Sequence, residues 1–286
     1  MLGRQWTEAL AGEINSGAAA SLDRAACDVL EPGAISRAIR DGATLVINCA
    51  AYTNVDGAER EEDIAFAVNG FAVGEIAKRC AETGALLVHY STDYVFAGDA
   101  RAPYPTNAPR KALGAYGRSK ALGEELVEAS GADYLMLRSS WLYAPHGNNF
   151  VRTIHRLAGE RELLRVVNDQ RGRPTSVPLL VETTKRLLDA GARGTLHATD
   201  GGECTWFEFA SEIVRLAGLP CRVEPCTSEE FPRPAARPAY SVLDLTETER
   251  LIGTLPDWRE ALADVMSKSG TGDRGPATRD TEARRR

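Results

Sequence analysis

The sequence predicts an α/β protein with a doubly wound parallel sheet of the Rossmann-like type and a smaller C-terminal α/β lobe. Short apolar runs rich in β-branched residues alternate along the chain with amphipathic helical segments, which is the pattern of repeated βαβ units. Several of these runs lack polar alternation, as expected for strands buried on both faces of a parallel sheet. We therefore expect ligands to bind at the carboxyl ends of the strands.

The composition is that of a soluble globular protein. Of the 286 residues, 43% are hydrophobic and 26% are charged. The formal net charge of -6 gives no basic footprint for nucleic acid, and no apolar run approaches the ~20 residues of a membrane span. The N-terminal sequence has no apolar signal-peptide region. We therefore expect a cytoplasmic protein with neither a nucleic-acid nor a membrane partner.

The six cysteines are scattered and none has the spacing of a zinc site. This usage indicates free thiols in a reducing compartment, and a Cys221–Cys226 bridge is the less favoured alternative.

The first 50 residues predict several short elements before a clear strand. Leu2, Trp6 and Leu10 recur at helical spacing. An Ala-rich segment that ends at Asp23 is a poor strand former, and the first unbroken apolar run follows Thr44. The predicted elements are, in order, a helix over 3–12, a strand over 17–23, a turn over 28–32, a helix over 33–41 and a strand over 44–50, buried on both faces.

The rest of the chain continues the alternation, with shorter elements after about residue 165. The predicted strands are 86–91, 134–138, 164–167, 195–198 and 222–225, and the predicted helices are 60–83, the one that contains 116–120, 178–190 and 206–217. Three prolines in 232–238 indicate a loop. We predict a dinucleotide-binding domain over 1–165, a substrate lobe over 166–266 that is partly interleaved with it, and a disordered tail over 267–286, which lacks apolar periodicity.

Tyr116 and Lys120 lie at positions i and i+4 of a predicted helix, so both side chains share one face. A phenol normally has a pKa near ~10, and a neighbouring ammonium lowers that pKa. Such a pair can pass a proton to or from a carbonyl oxygen. The pattern is weak alone, because a solvated lysine beside a half-buried tyrosine has the same spacing.

Polar and aromatic side chains follow three predicted strands at the point where each strand ends. These are Ala51, Tyr52 and Thr53 after the first strand, Ser91, Thr92 and Asp93 after the second, and Ser139, Ser140, Trp141 and Tyr143 after the third. Each has a structural alternative as a cap, turn or core residue. Together they predict a binding site at one edge of the sheet, beside Tyr116 and Lys120.

These motifs resemble those of the extended short-chain dehydrogenase/reductases, and most closely the dTDP-4-dehydrorhamnose reductases among them. The resemblance covers about residues 3–265 and is carried by VINCAAYTNVDGAE (46–59), VHYSTDYVFAG (88–98), AYGRSKALGE (115–124), LRSSWLYAPHGNNF (137–150), VNDQRGRPT (167–175) and ARP (236–238). It implies a nicotinamide cofactor and a dTDP-linked 4-keto-6-deoxyhexose as substrate. The implied reaction is NADPH-dependent reduction of the C4 ketone, from dTDP-4-dehydro-L-rhamnose to dTDP-L-rhamnose.

The resemblance also implies roles for single residues. Tyr116 would protonate the ketone oxygen, Thr92 would hold it, and Lys120 would lower the pKa of Tyr116. The implied cofactor-binding residues are Gly3, Asp23, Arg24, Asp28, Val29, Ala51, Tyr52, Thr53, Tyr90, Tyr116 and Lys120, and the implied substrate-binding residues are Thr92, Asp93, Trp141 and Arg237. For Arg237, a solvated loop position is an equally weighted alternative. Arg24 beside Asp23 favours NADPH over NADH, because a guanidinium can bind the 2′-phosphate.

One departure from the family pattern concerns the N-terminus. Relatives begin with a buried strand and a GxxGxxG turn whose backbone donors bind the cofactor's pyrophosphate. Here only Gly3 matches the last of those glycines, and the first strand is missing. We expect a gap in the sheet and weak cofactor binding by the chain as written, either because the start codon is set too late or because the chain is a degraded copy.

Two other functions stay open. One is a related dTDP-sugar 4-ketoreductase in antibiotic deoxysugar biosynthesis, for a dihydrostreptose-like unit, and the other is a non-catalytic regulatory or scaffold relative. Some relatives dimerise, in cases through Mg²⁺, but no acidic cluster in the sequence indicates a metal site. A homodimer is therefore an open alternative.

Overall fold

The computed structural model describes residues 1–269, which form helices around a central parallel sheet. The helices are α1 Leu2–Ala9, α2 Ala11–Asn15, α3 Ala34–Ala38, α4 Val55–Ala58, α5 Glu62–Phe66, α6 Ala72–Thr83, α7 Ala115–Ala129, α8 Phe150–Glu160, α9 Val177–Asp189, α10 Trp206–Ala217, α11 Thr246–Ile252 and α12 Trp258–Ser269. The strands are β1 Leu45–Asn48, β2 Leu86–Thr92, β3 Tyr134–Ser139, β4 Leu142–Tyr143, β5 Leu163–Val167, β6 Arg171–Gly172, β7 Thr175–Ser176, β8 Gly194–His197, β9 Cys204–Thr205 and β10 Arg222–Cys226.

The central sheet has four parallel strands in the order β1-β2-β3-β8. Thr92 of β2 is in register with Ser139 of β3, so the two strands end side by side. Helices cover both faces, which confirms the predicted α/β class. On one face Trp6 of α1 and Leu180 of α9 pack on the sheet, and on the other Ile76 of α6 and Val127 of α7 do so.

The first strand differs from its prediction. Strand β1 is not buried on both faces: Leu45 is 40% exposed, and Val46 and Ile47 are half-buried. Among the described residues β1 pairs only with β2, so it forms an edge of the sheet. The expected gap is absent because β1 and β2 pair directly.

Residues 17–23 were predicted to be a strand, and this prediction is wrong. The segment is an exposed turn and coil. Apart from Leu22, which is 50% exposed, its residues are small or polar and present little apolar surface for packing on the sheet, so no burial offsets the cost of ordering a strand.

The predicted long helix over 60–83 is divided into α5, a π-helical turn at Ala67–Phe71 and α6. The turn carries Asn69, whose amide oxygen accepts from the Tyr52 backbone N–H at 2.9 Å and whose nitrogen donates to Ser119 at 3.0 Å. This side chain therefore connects the loop after β1 with helix α7.

The C-terminal lobe contains the parallel pair β5–β10 and its own core, to which Phe209 and Trp258 contribute. Strand β8 belongs to the central sheet although it follows β5 in the chain. The predicted disordered tail begins at residue 267, but residues 267–269 belong to helix α12. The rest of the predicted tail, residues 270–286, lies outside the described part. All six cysteines are free, so the Cys221–Cys226 alternative is wrong.

Candidate active site

Helix α7 carries Tyr116 and Lys120 in its first two turns. The helix lies close to the 3₁₀ turn Asp93–Val95 that follows β2. A Cβ atom at Gly117 would overlap the carbonyl oxygen of Tyr94, so only glycine allows this approach. The close packing brings the Tyr–Lys face of α7 against the carboxyl end of β2.

Lys120 is buried rather than solvated, with only 2% of its surface exposed. Its Nζ atom donates to the carbonyl oxygen of Tyr90 at 2.6 Å and lies 3.3 Å from Nε2 of His89. Burial lowers the pKa of Lys120 to about 8, although the charge of Glu124 opposes this shift. The alternative of a solvated lysine is therefore wrong.

The Tyr116 phenol lies near the Thr92 hydroxyl, and its ring meets that of Tyr94 edge to face at 5.8 Å. Burial raises the pKa of Tyr116 to about 12, even though the Thr92 contact lowers it. Lys120, whose Nζ donates to the Tyr90 carbonyl, is not among the groups that shift this pKa, so its lowering of the pKa of Tyr116 stays a prediction. The phenol consequently keeps its proton at neutral pH and can act as an acid.

Asp93 is a buried carboxyl with one free oxygen. Its Oδ1 atom accepts from the Thr92 hydroxyl at 3.0 Å, but Oδ2 has no hydrogen-bond partner in the described structure. Burial raises the pKa of Asp93 to about 7, and the Ser241 hydroxyl opposes this rise without completing a bond to Oδ2. A buried acceptor without a partner suits a ligand hydroxyl.

Trp141 has a backbone φ of 49°, which is the only positive φ outside glycine in the part of the chain described. Its ring stacks on Trp206 of α10 at 3.6 Å and lies against Gly172, where a Cβ would come within 2.8 Å of it. Packing from the C-terminal lobe therefore holds a strained residue in place. Sequence reasoning missed Trp206, whose only signal was its position just after the helix cap Thr205.

Arg237 is ion-paired and only 19% exposed. Its guanidinium donates to Oδ1 of Asp56 at 2.9 Å and to the carbonyl oxygen of Ala235 at 3.2 Å. The alternative of a solvated loop arginine is therefore wrong. The neighbouring Ala235 and Ala236 line a small pocket that also contains Tyr116 and Tyr94.

The residues implied for cofactor binding near β1 and β2 differ in exposure and in hydrogen bonding. Ala51 and Thr53 are exposed beyond β1, and Gly3 lies next to Cys49 in the first turn of α1. The Tyr52 hydroxyl donates to Glu61 at 2.5 Å. Tyr90 presents its carbonyl to Lys120.

The Tyr90 phenol points the other way, into the core. Its hydroxyl accepts from Nε1 of Trp6 at 2.9 Å and bonds to the Thr184 hydroxyl at 2.9 Å. The side chain therefore anchors α1 and α9 to the sheet.

The residues implied for the adenosine end lie on an exposed loop. Oδ1 of Asp23 accepts from the Ala26 N–H at 2.9 Å, and Arg24, 85% exposed, pairs with Asp28 at 3.3 Å. Val29 packs beside Ile39 under this loop. The structure thus brings together Tyr116, Lys120, Thr92 and Asp93. By contrast, the side chains of Asp23, Arg24 and Asp28 bond only to near neighbours in the described structure.

A buried ionic cluster behind the Tyr–Lys pair was missed by sequence reasoning. Glu124 is fully buried and accepts two bonds from the Arg138 guanidinium, at 2.9 and 2.7 Å, and one from Ser91 at 2.5 Å. Burial raises the pKa of Glu124, but the bonds from Arg138, Ser91 and Arg110 together outweigh burial, and the net pKa is lowered. The sequence signal was a glutamate one turn beyond Lys120 on the buried face.

Residues 1–269 contain neither a metal-binding cluster nor a membrane-spanning helix. No group of three or more His, Cys, Asp or Glu side chains there is arranged to hold a metal ion. No helix there is both long and apolar enough to cross a membrane.

The fold and the site together define a class. A parallel α/β sheet whose carboxyl edge holds a protonated tyrosine, a buried lysine one helical turn away and a neighbouring hydroxyl is the arrangement of a short-chain dehydrogenase/reductase.

Comparisons with known proteins narrow this class. The family model described as RmlD substrate binding domain matches residues 1–270, and the chain belongs to this family. A dTDP-4-dehydrorhamnose reductase of Mycobacterium tuberculosis is 41% identical over 266 residues, which cover 88% of this chain and 87% of the relative. A probable dTDP-4,6-dihydroxy-2-methyloxan-3-one 4-ketoreductase of Streptomyces antibioticus is 39% identical and covers 98% of this chain and 96% of its own.

A solved structure has the same fold. The dTDP-4-dehydrorhamnose reductase of Bacillus anthracis, in complex with NADP, superposes with a TM-score of 0.82 at 37% identity. The match covers 86% of this chain and 89% of that one.

Proposed function

We propose that this chain is an NADPH-dependent reductase of the C4 ketone of a dTDP-4-keto-6-deoxyhexose, acting on dTDP-4-dehydro-L-rhamnose to form dTDP-L-rhamnose. The observation that carries the proposal is that the Tyr116 phenol and the Thr92 hydroxyl lie near one another beside buried Lys120. Two hydroxyl donors that converge beside a proton-holding pair suit a ketone oxygen. The relatives' names supply the substrate class.

The residues at this edge fit a nicotinamide cofactor. Lys120 donates to Tyr90 and has further N–H capacity for a ribose hydroxyl. Helix α1 begins without a side-chain cap, so its first backbone N–H groups suit a pyrophosphate. Asp23 would bind the adenosine ribose and exposed Arg24 the 2′-phosphate. The bound NADP of the Bacillus anthracis relative supports NADPH as the cofactor.

In the mechanism, bound NADPH supplies the hydride and the chain controls the proton. The Tyr116 hydroxyl donates to the ketone oxygen, and the Thr92 hydroxyl turns from Oδ1 of Asp93 to donate there as well. Both stabilise the charge that develops on that oxygen. Tyr116 then transfers its proton, which its raised pKa keeps available at neutral pH. Oδ2 of Asp93 accepts from a sugar hydroxyl, Trp141 covers a face of the sugar, and Arg237 contacts the diphosphate.

The test is NADPH consumption with dTDP-4-dehydro-L-rhamnose by wild-type protein and Tyr116→Phe. We expect kcat to fall ~10²–10⁴-fold because the general acid is lost, with NADPH affinity unchanged. Tyr134→Phe is the matched control and should keep full activity, because Tyr134 begins β3 at the end of the strand away from the site. Absence of turnover by the wild type, or full activity of Tyr116→Phe, would refute the proposal in favour of a non-catalytic relative.

The second candidate is a 4-ketoreductase of a related antibiotic deoxysugar. The near-complete coverage of the Streptomyces antibioticus relative favours it. Comparison of kcat/KM for dTDP-4-dehydro-L-rhamnose and for 4-keto sugars that differ in their ring hydroxyls separates the two candidates.

We also propose the division of the chain at residue 165, a cytoplasmic location and a homodimer. Light scattering with added Mg²⁺ and with a chelator tests the last of these. A monomer under both conditions would contradict it.

A further inference from the structure

The loop of residues 232–238 makes its polar contacts with the rest of the molecule through one side chain, Asp56. Oδ1 of Asp56 accepts from the Ala235 backbone N–H at 3.2 Å and from Nη2 of Arg237 at 2.9 Å. Oδ2 lies 4.0 Å from the Arg233 guanidinium. Among the described residues, the loop has no other hydrogen bond or ion pair to a group outside it. The prolines of the loop contribute to this, because they have no N–H to donate.

Asp56 lies on helix α4, which is itself attached to the helix that carries the Tyr–Lys pair. Glu59, about one turn further on, accepts from the Ala115 backbone N–H at the start of α7 at 2.8 Å. A Cβ atom at Gly114 would come within 2.5 Å of the Glu59 carboxylate, so a glycine at this position leaves room for the contact. Asp56 is therefore held at a fixed place relative to Tyr116.

The loop forms one wall of the small pocket that contains Tyr116. Its last residue, Pro238, packs on Gly98, where φ is 75° and a Cβ atom would overlap the proline ring. Packing therefore fixes the end of the loop. The direction of the Arg237 side chain depends on Asp56.

Arg237 has donors left for a ligand. A guanidinium has five N–H groups. Nη1 uses one on the Ala235 carbonyl oxygen at 3.2 Å and Nη2 uses one on Asp56, and no other group in the described structure accepts from Arg237. Because the side chain is 19% exposed, part of the guanidinium is open to a ligand. Its two bonds fix the plane in which the free N–H groups lie.

The charges at this loop suit an anion. The two guanidinium groups of Arg233 and Arg237 face the single carboxylate of Asp56, which leaves one net positive charge. Burial raises the pKa of Tyr94, and the charge of Arg237 opposes this rise, which is consistent with a guanidinium beside the pocket. Phosphate oxygens match the fork of N–H groups on a guanidinium.

We propose that Asp56 is a positioning residue for the sugar nucleotide. It docks the loop of residues 232–238 beside Tyr116 and orients Arg237 so that the free N–H groups bind the diphosphate. Asp56 acts through Arg237 and not by contact with the substrate. The identity of the nucleotide rests on the proposed function, but diphosphate binding can be measured without turnover.

The first experiment is a double-mutant cycle on the dissociation constant of dTDP, measured by calorimetry with the full chain. We expect Asp56→Ala and Arg237→Ala each to raise this constant about 10–100-fold, as expected for a hydrogen bond to a charged group. The double variant should bind dTDP no more weakly than Arg237→Ala, because Asp56 acts through Arg237. Losses that multiply in the double variant would overturn the inference.

Three other outcomes of the cycle would also overturn it. They are no dTDP binding by the wild type, unchanged binding by Asp56→Ala, and tighter binding by Asp56→Ala, which would show that the carboxylate competes with the ligand. Glu62→Ala is the matched control, because Glu62 also pairs with an arginine, Arg118, at 2.9 Å, and it should leave dTDP binding unchanged.

Asp56→Asn serves where Asp56→Ala does not fold, as judged by circular dichroism. The amide keeps an oxygen for the Ala235 N–H and for Arg237 but loses the charge, and neutral hydrogen bonds are roughly half as strong. We expect the dissociation constant of dTDP to rise about 3–10-fold in this variant. An unchanged constant in folded Asp56→Asn would again overturn the inference.

Steady-state kinetics separates this inference from the proposed reductase. In Asp56→Ala we expect KM for dTDP-4-dehydro-L-rhamnose to rise as the dissociation constant of dTDP does, with kcat and KM for NADPH little changed. Turnover by the wild type with dTDP affinity independent of Asp56 refutes this inference and leaves the reductase. Binding of dTDP that depends on Asp56, without NADPH consumption, supports the inference and refutes the reductase.

Discussion

The two ends of the candidate cofactor site are held in opposite ways. Around α7, polar groups from distant parts of the chain bond to one another inside the protein, as in the contacts of Lys120 with Tyr90 and of Glu124 with Arg138. In the loop after α2, exposed polar groups bond to near neighbours, as Arg24 does to Asp28. The first region has its geometry imposed by burial, and the second is free to adapt.

The difference has an energetic basis. A buried charge without its partner costs several kcal/mol, so the groups around α7 must stay paired. Exposed pairs contribute about 0–1 kcal/mol, so the loop can change its contacts at little cost. The same chemical change should therefore have a large effect at one end and a small effect at the other.

The largest effect is expected for Glu124→Ala. This change leaves the Arg138 guanidinium, 3% exposed, without its carboxylate. We expect a loss of about 3–5 kcal/mol in the free energy of unfolding, measured by urea denaturation. Glu125→Ala, at the next position of α7 but exposed, should change it by less than about 0.5 kcal/mol, and equal losses would show that the buried cluster has no special weight.

A smaller, pH-dependent effect is expected for Asp93→Asn. The pKa of Asp93 is about 7 in the folded protein, against about 3.9 in an unfolded chain. Below pH ~4 the carboxyl is protonated in both states, and as pH rises to 7 only the unfolded state ionises, so the wild type loses stability. We expect the variant to match the wild type near pH 4 and to exceed it by a few kcal/mol near pH 8.

Urea midpoints over this pH range test the Asp93 prediction. Asp63→Asn, on the exposed surface of α5, is the control and should keep the wild-type pH dependence. The same dependence in Asp93→Asn would show that Asp93 ionises freely in the folded state.

A moderate effect is expected at the contact between the two lobes. Trp206→Ala removes the ring that stacks on strained Trp141. We expect KM for the sugar nucleotide to rise about 3–10-fold with little change in kcat, because a stacked aromatic pair contributes about 0.5–1.5 kcal/mol. Trp206→Phe keeps an aromatic ring and should restore most of the loss, and equal KM values for both variants would refute a positioning role.

The smallest effect on stability is expected in the exposed loop. Arg24→Gln removes a surface pair, so the free energy of unfolding should change by less than about 0.5 kcal/mol. NADPH affinity should fall about tenfold through loss of a charged contact, while NADH affinity stays the same. Arg37→Gln, at another exposed ion pair, should leave both affinities unchanged, and an equal loss for NADPH and NADH would contradict a 2′-phosphate contact.

The sequence by itself determined the α/β class, most element positions and the Tyr116–Lys120 pair, because hydrophobic periodicity and helical spacing are local properties. Strands β2 and β3 and helices α9 and α10 begin and end within about two residues of their predicted limits. The predicted strand over 17–23 was wrong because it also rested on local properties. Local propensity does not show whether a partner strand is available.

Tertiary structure alone decided what surrounds each side chain. It made β1 an edge strand, placed Glu124 against Arg138, stacked Trp206 on Trp141 and aligned Asn48 and His89 with Lys120. These pairs are far apart in sequence, so spacing carries no signal for them. Burial, which depends on the whole fold, raises the pKa of Tyr116, and helical spacing gives no measure of burial.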